Sequence, residues 1–194
     1  MRTQLRIVAG SLKGRRLTYT VAPNVRPTPD LVRGALFSML GTAVPGRWFI
    51  DLFAGTGAVG MEALSRGATP VTLVEWDVQA AAAIIRHLQA FGVADQATVQ
   101  RADVYRWIAR WEAPNEPVNI FVGPPFADFK HRPEDLVQGL AELQKKVAPG
   151  SVLVLQNEKS RKGVWDWVPT GLPDPEHWEH RPYGRNRLSI WVKE

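Results

Sequence analysis

Two short runs hold the residues whose types and spacing can do chemistry. In DLFAGTGAVG, Asp51 to Gly60, the glycines Gly55, Gly57 and Gly60 form a G-x-G-x-x-G pattern directly after an apolar run. In NIFVGPPFADF, Asn119 to Phe129, a second apolar run breaks into Gly123-Pro124-Pro125-Phe126. Glycines at the first spacing let the main chain turn tightly and approach a ligand closely, while a following helix aims its free N–H groups into the same crevice. Glu75 closes a further apolar run, where a carboxylate can accept hydrogen bonds from both hydroxyls of a ribose or stand as a solvated strand end. Gly-Pro-Pro-Phe, taken by itself, is a strand-to-loop turn made of ordinary turn residues.

Two cofactors suit such a glycine loop: a dinucleotide and S-adenosyl-L-methionine. Asp51 helps to separate them. It lies four residues before Gly55, where a carboxylate can pair with the cationic amine of a methionine moiety but would repel a pyrophosphate. Its other reading is an acid that braces the loop or caps the helix. Asp103 can accept from an adenine amine and serves equally as a helix cap. Trp76, next to Glu75, can lie over adenine. Taken together, the loop Phe53-Ala54-Gly55-Thr56-Gly57 and the acids Asp51, Glu75 and Asp103 favour S-adenosyl-L-methionine.

The elements that must hold these residues alternate between strand and helix. RWFIDLF, PVTLVEW, ATVQRAD, VNIFVG and SVLVLQNE read as strands. VGMEALSRG, DVQAAAAIIRHLQAFG, VYRWIARW and PEDLVQGLAELQKKV read as helices between them, with Asp77 as a cap and Gly67 and Gly92 as stops. Repeated β-α units imply an α/β fold with a parallel sheet and helices on both faces. EHWEHR and NRLSIWVKE around Pro-Tyr-Gly-Arg predict a closing hairpin, with Pro169 to Pro175 as a connector. At the N-terminus, residues 5–9 and 16–21 predict two short strands. Thr28-Pro29-Asp30 predicts a helix start capped by Thr28, and Gly41 and Pro45 end that helix.

The 194 residues fit one domain with a small appendage, and an apolar content of 45% allows a substantial core. With no cysteine, disulfides, thiolate nucleophiles and cysteine-held metals are excluded, and the four histidines show no metal-ligand spacing. No signal-peptide pattern and no apolar run long enough to span a bilayer is visible, so the expectation is a cytoplasmic, soluble protein. Net charge is +5. Arg2, Arg6, Lys13, Arg15, Arg16 and Arg26 all precede the first acid, Asp30, which suits phosphate contact or a solvated edge hairpin.

RIVAGSLKGRRL, RPTPDLVRGALFSML, DLFAGTGAVGMEALSRGA, VEWD, RAD and GPPF, in this order, make the chain resemble the RsmD-type RNA methyltransferases, which methylate a guanine N2 in 16S ribosomal RNA. The resemblance implies a Rossmann-like class I methyltransferase: a seven-stranded, mostly parallel sheet with a terminal antiparallel hairpin, over 28–194, preceded by a small basic β-hairpin over 1–27. It further implies that Arg26 and Thr28 frame the cofactor pocket, that Asp51, Gly55 and Gly57 hold the methionine portion, that Glu75 holds the ribose and that Asp103 holds the adenine. Arg6, Lys13, Arg15 and Arg16 would lie against RNA, and a monomer acting on ribosomal RNA or an assembling small subunit is expected. Gly123, Pro124, Pro125 and Phe126 would form the catalytic loop, in which the first Pro carbonyl accepts from the target amine and the aromatic stacks on a flipped base.

Two positions depart from that family's pattern. Gly34 stands where a Glu is usual. Gly123 replaces the Asp or Asn whose side chain accepts the second hydrogen bond from the target amine. A catalytically impaired protein that binds cofactor and RNA is therefore the alternative reading. Asp128, two residues beyond Phe126, is the replacement acceptor nearest in sequence.

Overall fold

The computed structural model describes residues 2–20, 27–159 and 172–194. Strands β3 (Phe49–Leu52), β4 (Val71–Glu75), β5 (Ala97–Arg101), β6 (Asn119–Val122), β7 (Val152–Glu158), β8 (Glu179–Tyr183) and β9 (Asn186–Val192) form one sheet in the order β5-β4-β3-β6-β7-β9-β8. The first five run parallel, and β9 closes antiparallel on β7 and β8. Beside it, β1 (Arg2–Arg6) and β2 (Arg16–Thr20) make a separate antiparallel pair. The expected seven-stranded α/β sheet, with its terminal hairpin and its small N-terminal hairpin, is present.

Helices cover both faces because β3, β4 and β6 are apolar on both sides, as central parallel strands must be. On one face, α1 (Asp30–Leu40), α2 (Ala58–Ser65) and α3 (Val78–Phe91) bury Leu36, Phe37, Met61, Leu64, Ile84 and Leu88 against Phe49, Leu73 and Phe121. On the other, α4 (Val104–Arg110) and α6 (Pro133–Lys146) bury Ile108, Leu136, Leu140 and Leu143 against Ile50, Leu52, Ile120 and Val122. A one-turn helix, α5 (Asp128–His131), joins β6 to α6. Asp77 caps α3 as expected, accepting from the Ala80 N–H at 2.8 Å, and Gly92 ends it.

The N-terminal strands depart from expectation. β1 stops at Arg6, not Ala9, because the Val8 and Ala9 N–H groups leave the ladder for the carboxylate of Glu62 on α2, at 2.8 and 3.0 Å. The connecting loop is fastened further by the Ser11 N–H to the Ser65 carbonyl at 2.7 Å and the Leu12 N–H to Ser65 Oγ at 2.9 Å. Gly10 sits at φ +83° against this helix, and a Cβ there would lie 1.7 Å from the Ser65 carbonyl oxygen. Thr28 does not cap α1. The helix begins at Asp30, and the Thr28 hydroxyl donates instead to Gln156 Oε1 on β7 at 2.9 Å.

Gly34 lies within α1 with open space where a Cβ would be. Replacing Gly34 with Ala should therefore stabilise the protein by about 0.5–1 kcal/mol, the ordinary helix-propensity difference. Replacing Gly10 with Ala should destabilise it by at least about 2 kcal/mol, since both the φ and the contact oppose a side chain. Urea denaturation of the two variants beside the parent checks both signs.

Candidate functional site

The sheet changes direction between β3 and β6: the chain runs outward from β3 through β4 to β5, then returns to β6 and goes on to β7. Such a switch point opens a crevice at the carboxyl ends of the strands. Every residue run singled out for chemistry ends there. The glycine loop follows β3, Glu75-Trp76 ends β4, Asp103 follows β5 and Gly123–Phe126 follows β6.

The glycine loop is held by hydrogen bonds that shape it before any ligand arrives. Ala54 N–H reaches the Val74 carbonyl at 3.0 Å, and Gly57 N–H reaches the Ala54 carbonyl at 2.7 Å. Gly57, at φ +75°, caps α2, and a Cβ there would meet Ile84 Cγ1 at 2.9 Å. Phe53 adopts φ 63°, a conformation unusual outside glycine, and its ring packs edge-on against Tyr105 of α4 at 5.6 Å. Backbone strain of this kind persists where the surroundings over-determine it, often at ligand clamps. Thr56 is half-buried within the turn.

The acids divide into separate roles. Glu75 is buried, with Oε2 accepting from the Gly55 N–H at 2.7 Å and Oε1 from the Asp77 N–H at 2.8 Å. Each carboxylate oxygen keeps a second lone pair, so the pair is pre-aimed for hydroxyl donors. Trp76 beside it is 74% exposed, an open aromatic face at the crevice. Asp51 is buried at the foot of α2, its Oδ2 accepting from the Gly60 N–H at 2.8 Å. That is the loop-bracing arrangement. Burial drives its pKa up to about 7, against the Gly60 hydrogen bond and with help from the charge of Glu75. Asp103 caps α4, accepting from the Arg106 N–H at 3.0 Å, and pairs with Arg132 at 3.2 Å. Burial raises its pKa, but the Arg106 N–H and the Arg132 guanidinium outweigh burial and hold the carboxyl below its usual range.

The second loop starts beside the first: the Gly123 N–H donates to the Leu52 carbonyl at the end of β3 at 3.2 Å, one further rung of the β3–β6 ladder. Pro124 is buried, Pro125 exposed, and the Phe126 ring 44% exposed, available for stacking. A Cβ on Gly123 would lie 2.8 Å from Cε1 of the buried Phe121 ring, which occupies the space beneath it. Asp128 does not face that space. Its Oδ2 accepts from the Tyr105 hydroxyl at 2.8 Å, on the face of the sheet covered by α4 and α6. Arg132 lies over the Tyr105 ring at 4.3 Å, so α5 is pinned to α4.

Arg6, Lys13, Arg15 and Arg16 are exposed together on the β1-β2 hairpin. Arg15 reaches over Phe91 at 5.6 Å, and Arg16 donates to Gln4 at 3.3 Å. The Thr18 N–H donates to His87 Nε2 on α3 at 3.1 Å, tying the hairpin to the body a second time. Arg26 lies outside the described residues. Among the described residues, ligand atoms of Asp174, Glu176 and His177 fall within 4.8 Å of one another, a cluster that histidine spacing alone did not suggest. Asp174 there is engaged by His177 and by Trp191 Nε1.

A family model described as conserved hypothetical protein 95 matches residues 5–192. The chain belongs to this family, the RsmD-type methyltransferases. The ribosomal RNA small subunit methyltransferase D of Escherichia coli K12 is 38% identical over 123 residues, which are 63% of this chain and 61% of that protein; the match thus spans under two thirds of the relative's length. The protein of the same name from Haemophilus influenzae is 29% identical over 176 residues, covering 90% of this chain and 85% of its own. The solved structure of yhhF from Escherichia coli superposes with a TM-score of 0.78 at 28% identity and covers 99% of both chains.

The raised pKa of Asp51 has a consequence for stability. A carboxyl that binds its proton more tightly when folded supplies stability below its unfolded value of 3.8, and loses it as the pH rises to about 7. Replacing Asp51 with Asn should leave the ligand-free protein at least as stable as the parent at pH 8. The margin in favour of Asn should grow between about pH 4 and 7 and stay level above that. Thermal melts of both proteins across that range check it, and a flat difference would refute a titrating Asp51.

Proposed function

We propose that this chain transfers the methyl group of S-adenosyl-L-methionine to a guanine N2 of 16S ribosomal RNA, in free RNA or in an assembling small subunit. The carrying observation is that the glycine loop and the Pro-Pro-Phe loop leave the carboxyl ends of the adjacent strands β3 and β6, on either side of the switch point, in a chain of this family. Membership and the relatives named for ribosomal RNA small subunit methylation support the substrate class.

The residues present fit the cofactor. The Gly55–Gly57 turn offers a close main-chain approach, Glu75 two pre-aimed oxygens for the ribose, and Trp76 an open ring for the adenine. Asp103, held as a carboxylate, provides an acceptor beside the adenine site, and Asp51 braces the turn beneath the methionine site, where a bound cationic amine would favour its charged form. Thr28 bounds the pocket from the β7 side. When bound, the cofactor would supply an electrophilic methyl group on a sulfonium, which the guanine N2 would accept in exchange for a proton, leaving the neutral thioether S-adenosylhomocysteine. The protein's task is alignment of amine, methyl and sulfur, with no metal required. Phe126 offers a stacking face for a flipped base, and the Pro124 carbonyl accepts one amine hydrogen. The hairpin cations Arg6, Lys13, Arg15 and Arg16 contact backbone phosphates, a contribution weakened by added salt.

Gly123 motivates a second reading, a protein that binds cofactor and RNA without useful turnover. A missing charge-assisted hydrogen bond of about 1.5–3 kcal/mol lowers the rate roughly ten- to 150-fold. Restoring the acid also needs room, because its Cβ would press on Phe121. The decisive comparison is methyl transfer from labelled cofactor to 16S RNA by the parent and by a Gly123→Asp/Phe121→Leu double variant, with the methylated base identified by mass spectrometry. Transfer to a guanine N2 by the parent is expected. A silent parent beside an active double variant would establish the binding-only reading, and calorimetry with S-adenosylhomocysteine would show whether the pocket itself is intact.

A further inference from the structure

Strand register brings a polar side chain of the next strand level with position 123. β6 and β7 pair in parallel with Phe121 opposite Val154 and Val122 opposite Leu155. The residues that follow, Gly123 and Gln156, therefore stand level, with main chains about 5 Å apart. Residues in register on neighbouring parallel strands point to the same face. Phe121 and Val154 both enter the core under α1 and α2, whereas Val122 and Leu155 enter the opposite one. Gln156 thus projects on the face to which a side chain at position 123 would also project. Asp128, on the opposite face and held by Tyr105, has no such access.

The Gln156 amide is fixed at both ends. Its Oε1 accepts from the Thr28 hydroxyl at 2.9 Å, and its Nε2 donates to Asn186 Oδ1 of β9 at 2.9 Å. These two bonds orient the carbonyl, and one of its two lone pairs is left for another donor. Gln156 is half-buried, so the residue is not sealed in the core. The orienting groups come from separate elements: Thr28 from the segment before α1, Asn186 from the terminal hairpin.

We propose that Gln156 is a further catalytic residue, its Oε1 accepting the second hydrogen bond of the target amine in place of the side chain that Gly123 lacks. This rests on the methyltransferase reading given above. The first bond goes to the Pro124 carbonyl, so the two acceptors bracket the amine from adjacent strands and aim its lone pair at the methyl carbon. An amide accepts a hydrogen bond without taking a proton. The proton that N2 releases after transfer therefore passes to solvent and not to Gln156.

The test is a double-mutant cycle in single-turnover methyl transfer to 16S RNA. Gln156→Ala should lower the rate about tenfold or more in the parent, the expected loss for one oriented acceptor. RNA affinity and S-adenosylhomocysteine affinity by calorimetry should change less than about threefold. In the Gly123→Asp/Phe121→Leu background the same Gln156→Ala change should cost less than about threefold, because the acid has taken over. Gln156→Glu, which keeps an acceptor of equal reach, should preserve most of the parent rate and add a dependence on pH. Equal losses in both backgrounds, or a parent rate unmoved by Gln156→Ala, would overturn the assignment while leaving the methyltransferase reading intact. Transfer only by the Gly123→Asp/Phe121→Leu variant would overturn it as well. Absence of transfer from both the parent and that variant would sink the methyltransferase reading and this assignment together.

Discussion

The carboxylate of Glu62 is the point on which the N-terminal half of the molecule depends. It is fully buried on α2, yet four donors come to it or beside it: the Val8 and Ala9 N–H groups, Arg66 at 3.0 Å, and the guanidinium of Arg33 at 4.0 Å. Arg33 is itself fully buried and spends its other nitrogens on the Thr28 and Arg6 carbonyls and on Asp30, each within 2.9 Å. A buried ion cluster of this kind is weak evidence for net stability, but opening it by removing one member leaves an uncompensated charge, typically at a cost of about 3–5 kcal/mol. The hairpin, the entry to α1 and the helix that starts at the glycine loop are thereby joined through one site. α2 thus links the basic hairpin to the glycine loop.

The other half is organised by strand ends. β3 to β6 deliver their loops to one edge in parallel. Main-chain bonds join Gly123 to Leu52 and Ala54 to Val74, while the Gly55 N–H donates to the Glu75 side chain. This pattern explains why a glycine at position 123 leaves the loop standing. Its N–H still completes the ladder, and the Phe121 ring fills the volume below. Loss of an acceptor there is a chemical event and not a structural one.

Much of this was legible in the residues. The glycine spacing, the acid at the end of each strand and the Asp77 cap each follow from a local rule, so the crevice and the order of strands and helices could be read along the chain. What local rules miss is the tertiary claim on a polar group. VGMEALSRG reads simply as a helix closed by Gly67, but all eight residues of α2 are buried and Glu62 faces inward. A lone acid among Gly, Ala and Met was the available sign. Residues 5–9 read as a strand, but Glu62 takes the Val8 and Ala9 N–H groups, and Thr28 reads as a cap, but its hydroxyl bonds Gln156, 128 residues away. Gln156 itself lay at the end of an apolar run, and only strand register sets it beside Gly123.

The hairpin is fastened to α2 almost wholly through main-chain donors, those of Val8, Ala9, Ser11 and Leu12, all directed at Glu62 and Ser65. Main-chain donors are the same whatever residue carries them, proline excepted. The outward side chain of Lys13 therefore has no part in these bonds. The arrangement separates attachment from surface charge: the outward cations of the hairpin can be exchanged without touching the bonds to Glu62 and Ser65.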